Sequence, residues 1–276
     1  MDASPVSRSA TRAWFGGILV VSLAVTLWWW VLLSGVGALT GAEYSRGAHI
    51  VRALGATLFT VALVAWALRR PVRRSWSDLG VDGPGTGWRQ FVFGAACWAI
   101  PAMVTLLVLL GVGWAELSVQ ASVAKTLVAA LGSVVLVLLY EAVPEELVFR
   151  GYLFTALSER FSPFWSVLGQ AVLFMGWGAL IGAAGSVDRV VLFGVFAVVL
   201  GAMRAVTGSV WVCAGFHTAF QFTAQFLGTQ WTQVRLHDPD LAVASLAFVA
   251  VPFLCVAAPL WWVSRRRPVR VFGRAA

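Results

Sequence analysis

From Ala13 to Ala42 the chain has no charged residue, and an uncharged run of that length constrains the fold more than any other feature. About 20 apolar residues are enough for a helix that crosses a bilayer, and the run is longer than the apolar core of a signal peptide, so it reads as a retained membrane helix. Seven further apolar stretches follow: Arg52 to Leu68, Gln90 to Ala115, Thr126 to about Arg150, Phe161 to Val187, Val190 to Met203, Val206 to Phe226 and Leu241 to Ser264. Ser75 to Trp88, rich in Gly, Asp and Pro, reads as an interfacial loop. Composition points the same way. With 60% hydrophobic and 12% charged residues and a mean hydropathy of +0.84, the chain is not a soluble globular domain, in which about 25% of residues are charged. The expected class is an all-α polytopic membrane protein of about eight transmembrane helices.

The net charge of +8 comes from short basic clusters between apolar runs, not from one basic domain. This argues against a nucleic-acid partner and for the positive-inside rule. With the N-terminus inside, eight alternating spans leave 15 basic residues in inner segments and 5 in outer ones. The excess orients the chain with both termini cytoplasmic. Val190 to Met203 is short for a span, but deleting it would place the C-terminal RRRPVR outside, so it is kept. The preference for arginine, 19 against one lysine, suggests a GC-rich genome and hence a bacterial cytoplasmic membrane. Cys97, Cys213 and Cys255 are far apart inside apolar runs and are expected to be packing residues.

The stretch Tyr140 to Arg160, YEAVPEELVFRGYLFTALSER, breaks the apolar pattern. It places Glu141, Glu145, Glu146 and Arg150 where lipid-buried residues are expected, and such charges are costly unless they pair or do chemistry. At helical spacing Glu141 and Glu145 share one face and Glu146 and Arg150 a neighbouring one. Pro144 should kink the helix beside the carboxylates. The seventh span places His217, Gln221 and Gln225 on one face. His217 lies about half a bilayer deep at about 1.5 Å per residue, so glutamates and histidine are expected to meet in a pocket open to the cytoplasm. Plainer readings stand beside this one. Glu146 with Arg150 also suits a buried helix-stabilising pair, and His217, Gln221 and Gln225 suit hydrogen-bonded packing between helices.

EELVFRGYLF, Glu145 to Phe154, resembles the first motif, Glu-Glu-x-x-x-Arg, of the CPBP family of CAAX prenyl proteases and bacteriocin-processing intramembrane proteases. GQAVLFMGWGAL, Gly169 to Leu180, stands where that family has Phe-x-x-x-His, and Phe193 to Gln221 resembles the segment leading to its His-x-x-x-Asn or His-x-x-x-Asp motif. The resemblance covers roughly residues 75 to 225 and implies three parts: residues 1–74 as an N-terminal two-helix segment, 75–230 as the protease-like core, and 231–276 as a last helix with a basic tail. It implies a membrane-embedded endopeptidase in the lipid bilayer acting on a membrane-associated peptide or protein. Glu145 would activate water, Glu146 would orient it or pair with Arg150, and His217 with Gln221 would stabilise the oxyanion.

Two positions depart from the family pattern. The second motif reads Phe174 to Gly178, with glycine in place of histidine, and the third ends in Gln221. The remaining histidines, His49 and His237, fall in predicted outer loops. A divalent metal such as zinc would have Glu145 and His217 as its main ligands, fewer than the usual three. Glu141, one turn before Glu145, and Gln170, on the stripe of Gly178, are candidate auxiliary groups. Two other readings remain open: a catalytically impaired relative that binds or regulates a membrane partner, and a small transporter.

Overall fold

The structure is a computed structural model that describes residues 5–41, 45–69, 74–228, 231–237 and 243–266. Without water to satisfy backbone groups, apolar runs of this kind must close their hydrogen bonds internally, and they do so as helices. We label these α1 (Pro5–Thr40), α2 (Arg46–Leu68), α3 (Pro84–Gly111), α4 (Val123–Ser158), α5 (Pro163–Leu180), α6 (Val187–Thr207), α7 (Val210–Phe226) and α8 (Val243–Arg266). Seven of them are long and apolar enough to cross a membrane. The eighth, α7, has 17 residues and lies largely buried inside the bundle. The protein is an all-α multi-pass membrane protein.

Several boundaries differ from the expected ones. Helix α3 begins at Pro84, inside the expected loop, because Gly83 ends the extended entry and proline suits the first helical position. It stops at Gly111, and Gly113 follows with φ of +77°. Helix α4 runs past Arg150 to Ser158, since Phe154, Ala156 and Leu157 continue its buried face. His49 is not in a loop: it sits in the first turn of α2, buried, with its ring edge-on to Tyr140 at 5.4 Å. A small antiparallel pair, β1 (Glu116–Val119) with β2 (Val234–His237), was not expected, and it takes in His237.

The two ends of the bundle differ. At one, Arg160 donates to Thr11 at 3.1 Å and stacks over Trp14, Arg74 pairs with Glu159, and Val210 N–H bonds Gly80 O at 2.9 Å. At the other, β1 and β2 close the surface beside Arg46, which lies 5.1 Å over the Trp231 ring. The core helices α3 and α7 touch backbone to backbone. A Cβ on Gly94 would stand 1.9 Å from Val212 O, and one on Gly215 would stand 2.0 Å from Phe91 O. Small residues of this kind let membrane helices approach closely, and here the approach fixes the depth of α7 in the bundle.

Candidate active site

The site is built on an irregular stretch of α4. Pro144 has no N–H to offer the turn before it, and the helix absorbs this by widening: Leu138–Ala142 and Leu147–Leu153 are π-helical, with Val143 N–H bonded to Leu138 O. Such wide turns are rare and frequently mark functional sites. Here they flank the Glu145–Glu146 pair and aim both carboxylates at one imidazole of α7. His217 Nδ1 lies 2.8 Å from Glu146 Oε1, and its Nε2 lies 3.9 Å from Glu145 Oε2.

The two carboxylates have different surroundings. Glu146 Oε1 also accepts from Arg150 at 3.0 Å, and both side chains of that pair are 0% exposed. The Arg150 guanidinium lies 4.6 Å over the Phe174 ring, and its backbone carbonyl accepts from Arg204 Nε at 2.9 Å. Phe196 packs edge-on to His217 at 4.8 Å. Glu146 is therefore fixed on two sides by cationic or polar hydrogen. Glu145 has no comparable clamp, and its side chain is 10% exposed against 1% for His217. A polar gap of 3.9 Å between Nε2 and a carboxylate oxygen is a span that one water bridges.

One turn earlier, Glu141 accepts from Gln221 and, at 2.7 Å, from Gln225. Gln221 thus meets α4 at Glu141 and not at Glu145. Gln170 stands apart from these groups: buried at 0% exposure, it donates to Ala197 O at 2.7 Å and Val167 O at 3.0 Å, joining α5 to α6. Phe174 forms the aromatic floor under Arg150. Gly178 is buried, and a Cβ there would meet the Phe193 ring at 2.6 Å, a ring stacked on Phe174 at 5.2 Å. The space beside Gly178 is filled by Phe193. Sequence reasoning gave no role to Phe193, Phe196 or Arg204. The first two read as ordinary apolar helix residues, whereas the charge of Arg204 inside a span was a signal of the same kind as that of Arg150.

For a metal, the donors present do not fit. Glu145 and His217 Nε2 face one another, but Glu146 and Nδ1 are already joined. Among the described residues no three His, Cys, Asp or Glu side chains are arranged to hold an ion, and a catalytic zinc site takes three protein ligands.

Residues 126–223 match the family described as Type II CAAX prenyl endopeptidase Rce1-like. This stretch is similar to the Rce1-like family. No curated protein matches the sequence. The Rce1-like segment runs from the first turn of α4 into α7 and contains Glu141, Glu145, Glu146, Arg150, Gln170, Phe174, Gly178, His217 and Gln221. Members of the Rce1-like family are intramembrane endopeptidases.

Proposed function

We propose that the protein hydrolyses a peptide bond in a membrane-associated substrate with a water held between Glu145 and His217. The observation that carries this reading is the placement of one imidazole between adjacent carboxylates, bonded to the clamped one at 2.8 Å and facing the unclamped one at 3.9 Å. Glu145 takes a proton from the water as its oxygen attacks the scissile carbonyl carbon. The C–N bond then breaks, and the proton passes to the leaving amine. Glu146, neutralised by Arg150, accepts Nδ1–H and so sets the ring orientation. His217 Nε2, on the open side of the ring, faces the reacting centre across from Glu145, where charge develops on the oxyanion. Gln221, whose amide is taken by Glu141, acts by holding α7 against α4.

The transmembrane core spanning residues 75–230 is the unit we assign to this chemistry. Cleavage of a membrane-peptide library by the purified chain in nanodiscs tests it. The expected result is cleavage by the wild type that Glu145→Gln lowers by about 10²–10⁴-fold.

A second reading, a membrane binding or regulatory relative without hydrolytic activity, is favoured by one observation: Phe193 occupies the space beside Gly178. Under that reading the wild type is inert, and activity emerges only when histidine enters at position 178 and Phe193 is cut back together. Gly178→His alone would not suffice.

A further inference from the structure

A separate cleft opens at the end of the bundle where α3 and α7 begin and α8 finishes. It encloses about 420 Å³, within the range of about 300–1,000 Å³ of small-ligand sites. Its mouth carries Thr86, Arg89 and Arg266, while Phe93 lies one turn further along α3, and Val263 and Trp262 about one turn back along α8. The rim is cationic, Gln90, Thr207 and Ser209 also line the cleft, and most of its wall is apolar. No acidic residue lines it. The nearby Asp82 carboxylate is engaged by Gln90 Nε2 at 2.6 Å, and the oxygen of the same amide accepts from Ser209 at 2.6 Å.

The two arginines are the charged donors that line the cleft. Arg266 lies 4.0 Å over the Trp262 ring and Arg89 5.7 Å over Trp88, and neither forms an ion pair among the described residues. Guanidinium groups match phosphate oxygens in charge and fork geometry. A tryptophan beneath one of them is the interfacial arrangement found where helices leave the hydrocarbon. A cationic rim over a mostly apolar wall, at the end of a transmembrane bundle, fits a molecule with an anionic head and a hydrocarbon tail.

We propose that this cleft binds an anionic phospholipid, with its phosphate between Arg89 and Arg266 and the start of an acyl chain against Phe93 and Val263. The site is distinct from the Glu145–His217 centre and does not depend on its activity. The test is equilibrium binding of a tail-labelled phosphatidylglycerol to the full chain in neutral detergent. Phosphatidylcholine, inorganic phosphate and a peptide with a free C-terminal carboxylate serve as competitors.

The wild type is expected to bind phosphatidylglycerol saturably, with phosphatidylcholine competing poorly. Arg89→Gln with Arg266→Gln is expected to weaken binding about 30-fold, from the general worth of two basic residues at an anionic surface. Both side chains are exposed, and an unchanged melting temperature without lipid establishes that the variant is folded. Equal binding of the two lipids, or unaltered affinity in the double variant, would overturn the proposal. Displacement by inorganic phosphate as effective as by lipid would reassign the cleft to a soluble anion. Capture of the peptide but not the lipid would assign it to a peptide terminus.

Discussion

Glu141 and Glu146 lie on neighbouring turns of α4, and both are tied to α7, but by different chemistry. Two neutral amides, Gln221 and Gln225, hold Glu141, whereas a guanidinium and an imidazole hold Glu146 in full burial. The first set tolerates loss of charge, since an amide can replace the carboxylate and still bond. The second does not, because removing the Arg150 guanidinium strands the Glu146 charge in the membrane interior. Between them Glu145 faces only the far nitrogen of the ring. The two outer carboxylates are hydrogen-bonded to α7, and the middle one faces the ring across 3.9 Å.

This contrast can be broken at several points. Glu145→Gln should have the largest effect, lowering the cleavage rate by about 10²–10⁴-fold, the range of a general base, with little change in melting temperature. Arg150→Met should destabilise the protein by about 3–5 kcal/mol by leaving Glu146 buried without its cation, read as a lower midpoint in thermal unfolding in detergent. Gly178→Ala should cost about 1–3 kcal/mol, the usual penalty of overpacking, with Phe193→Leu in the same chain recovering part of the loss. Glu141→Gln should cost about 1 kcal/mol and reduce cleavage far less than Glu145→Gln. If it abolished cleavage, the division of roles between the two carboxylates would be wrong.

The smallest expected effect lies outside the membrane segments. Asp78 accepts from Ser75 N–H at 2.7 Å and from its hydroxyl at 2.8 Å, and these bonds hold its carboxyl below the usual carboxylate range. A depressed folded value means that the contribution is present above the unfolded pKa and is lost as pH falls through the folded one. Asp78→Asn should therefore remove a small stabilisation seen at neutral pH and absent in acid. Unfolding midpoints compared at the two pH values would detect it.

The order of the helices was legible because a bilayer leaves an apolar run few options, and Pro144 announced an irregularity beside the carboxylates. The form of that irregularity was not legible. A missing N–H predicts a kink, yet the chain distributes the disturbance over two wide turns. The intrahelical pairing of Glu146 with Arg150 followed from spacing, but the bonds of His217 and Gln221 cross between helices whose relative depth depends on the Gly94–Gly215 approach. Spacing along one helix cannot supply that depth. Gly178 was read as a gap in a motif, and the structure has Phe193 in the space. An apolar residue in an apolar run gives no hint of such a role. The β1–β2 pair joins loops far apart in the chain and has no local signal strong enough to predict it.

The most direct measurement is a double-mutant cycle in the cleavage assay, with Glu145→Gln, His217→Ala and the two combined. Residues that hold one water between them act as a unit, so the double variant should be little slower than the worse of the singles. Losses that simply multiply, or a Glu145→Gln rate close to that of the wild type, would contradict a shared water between Glu145 and His217.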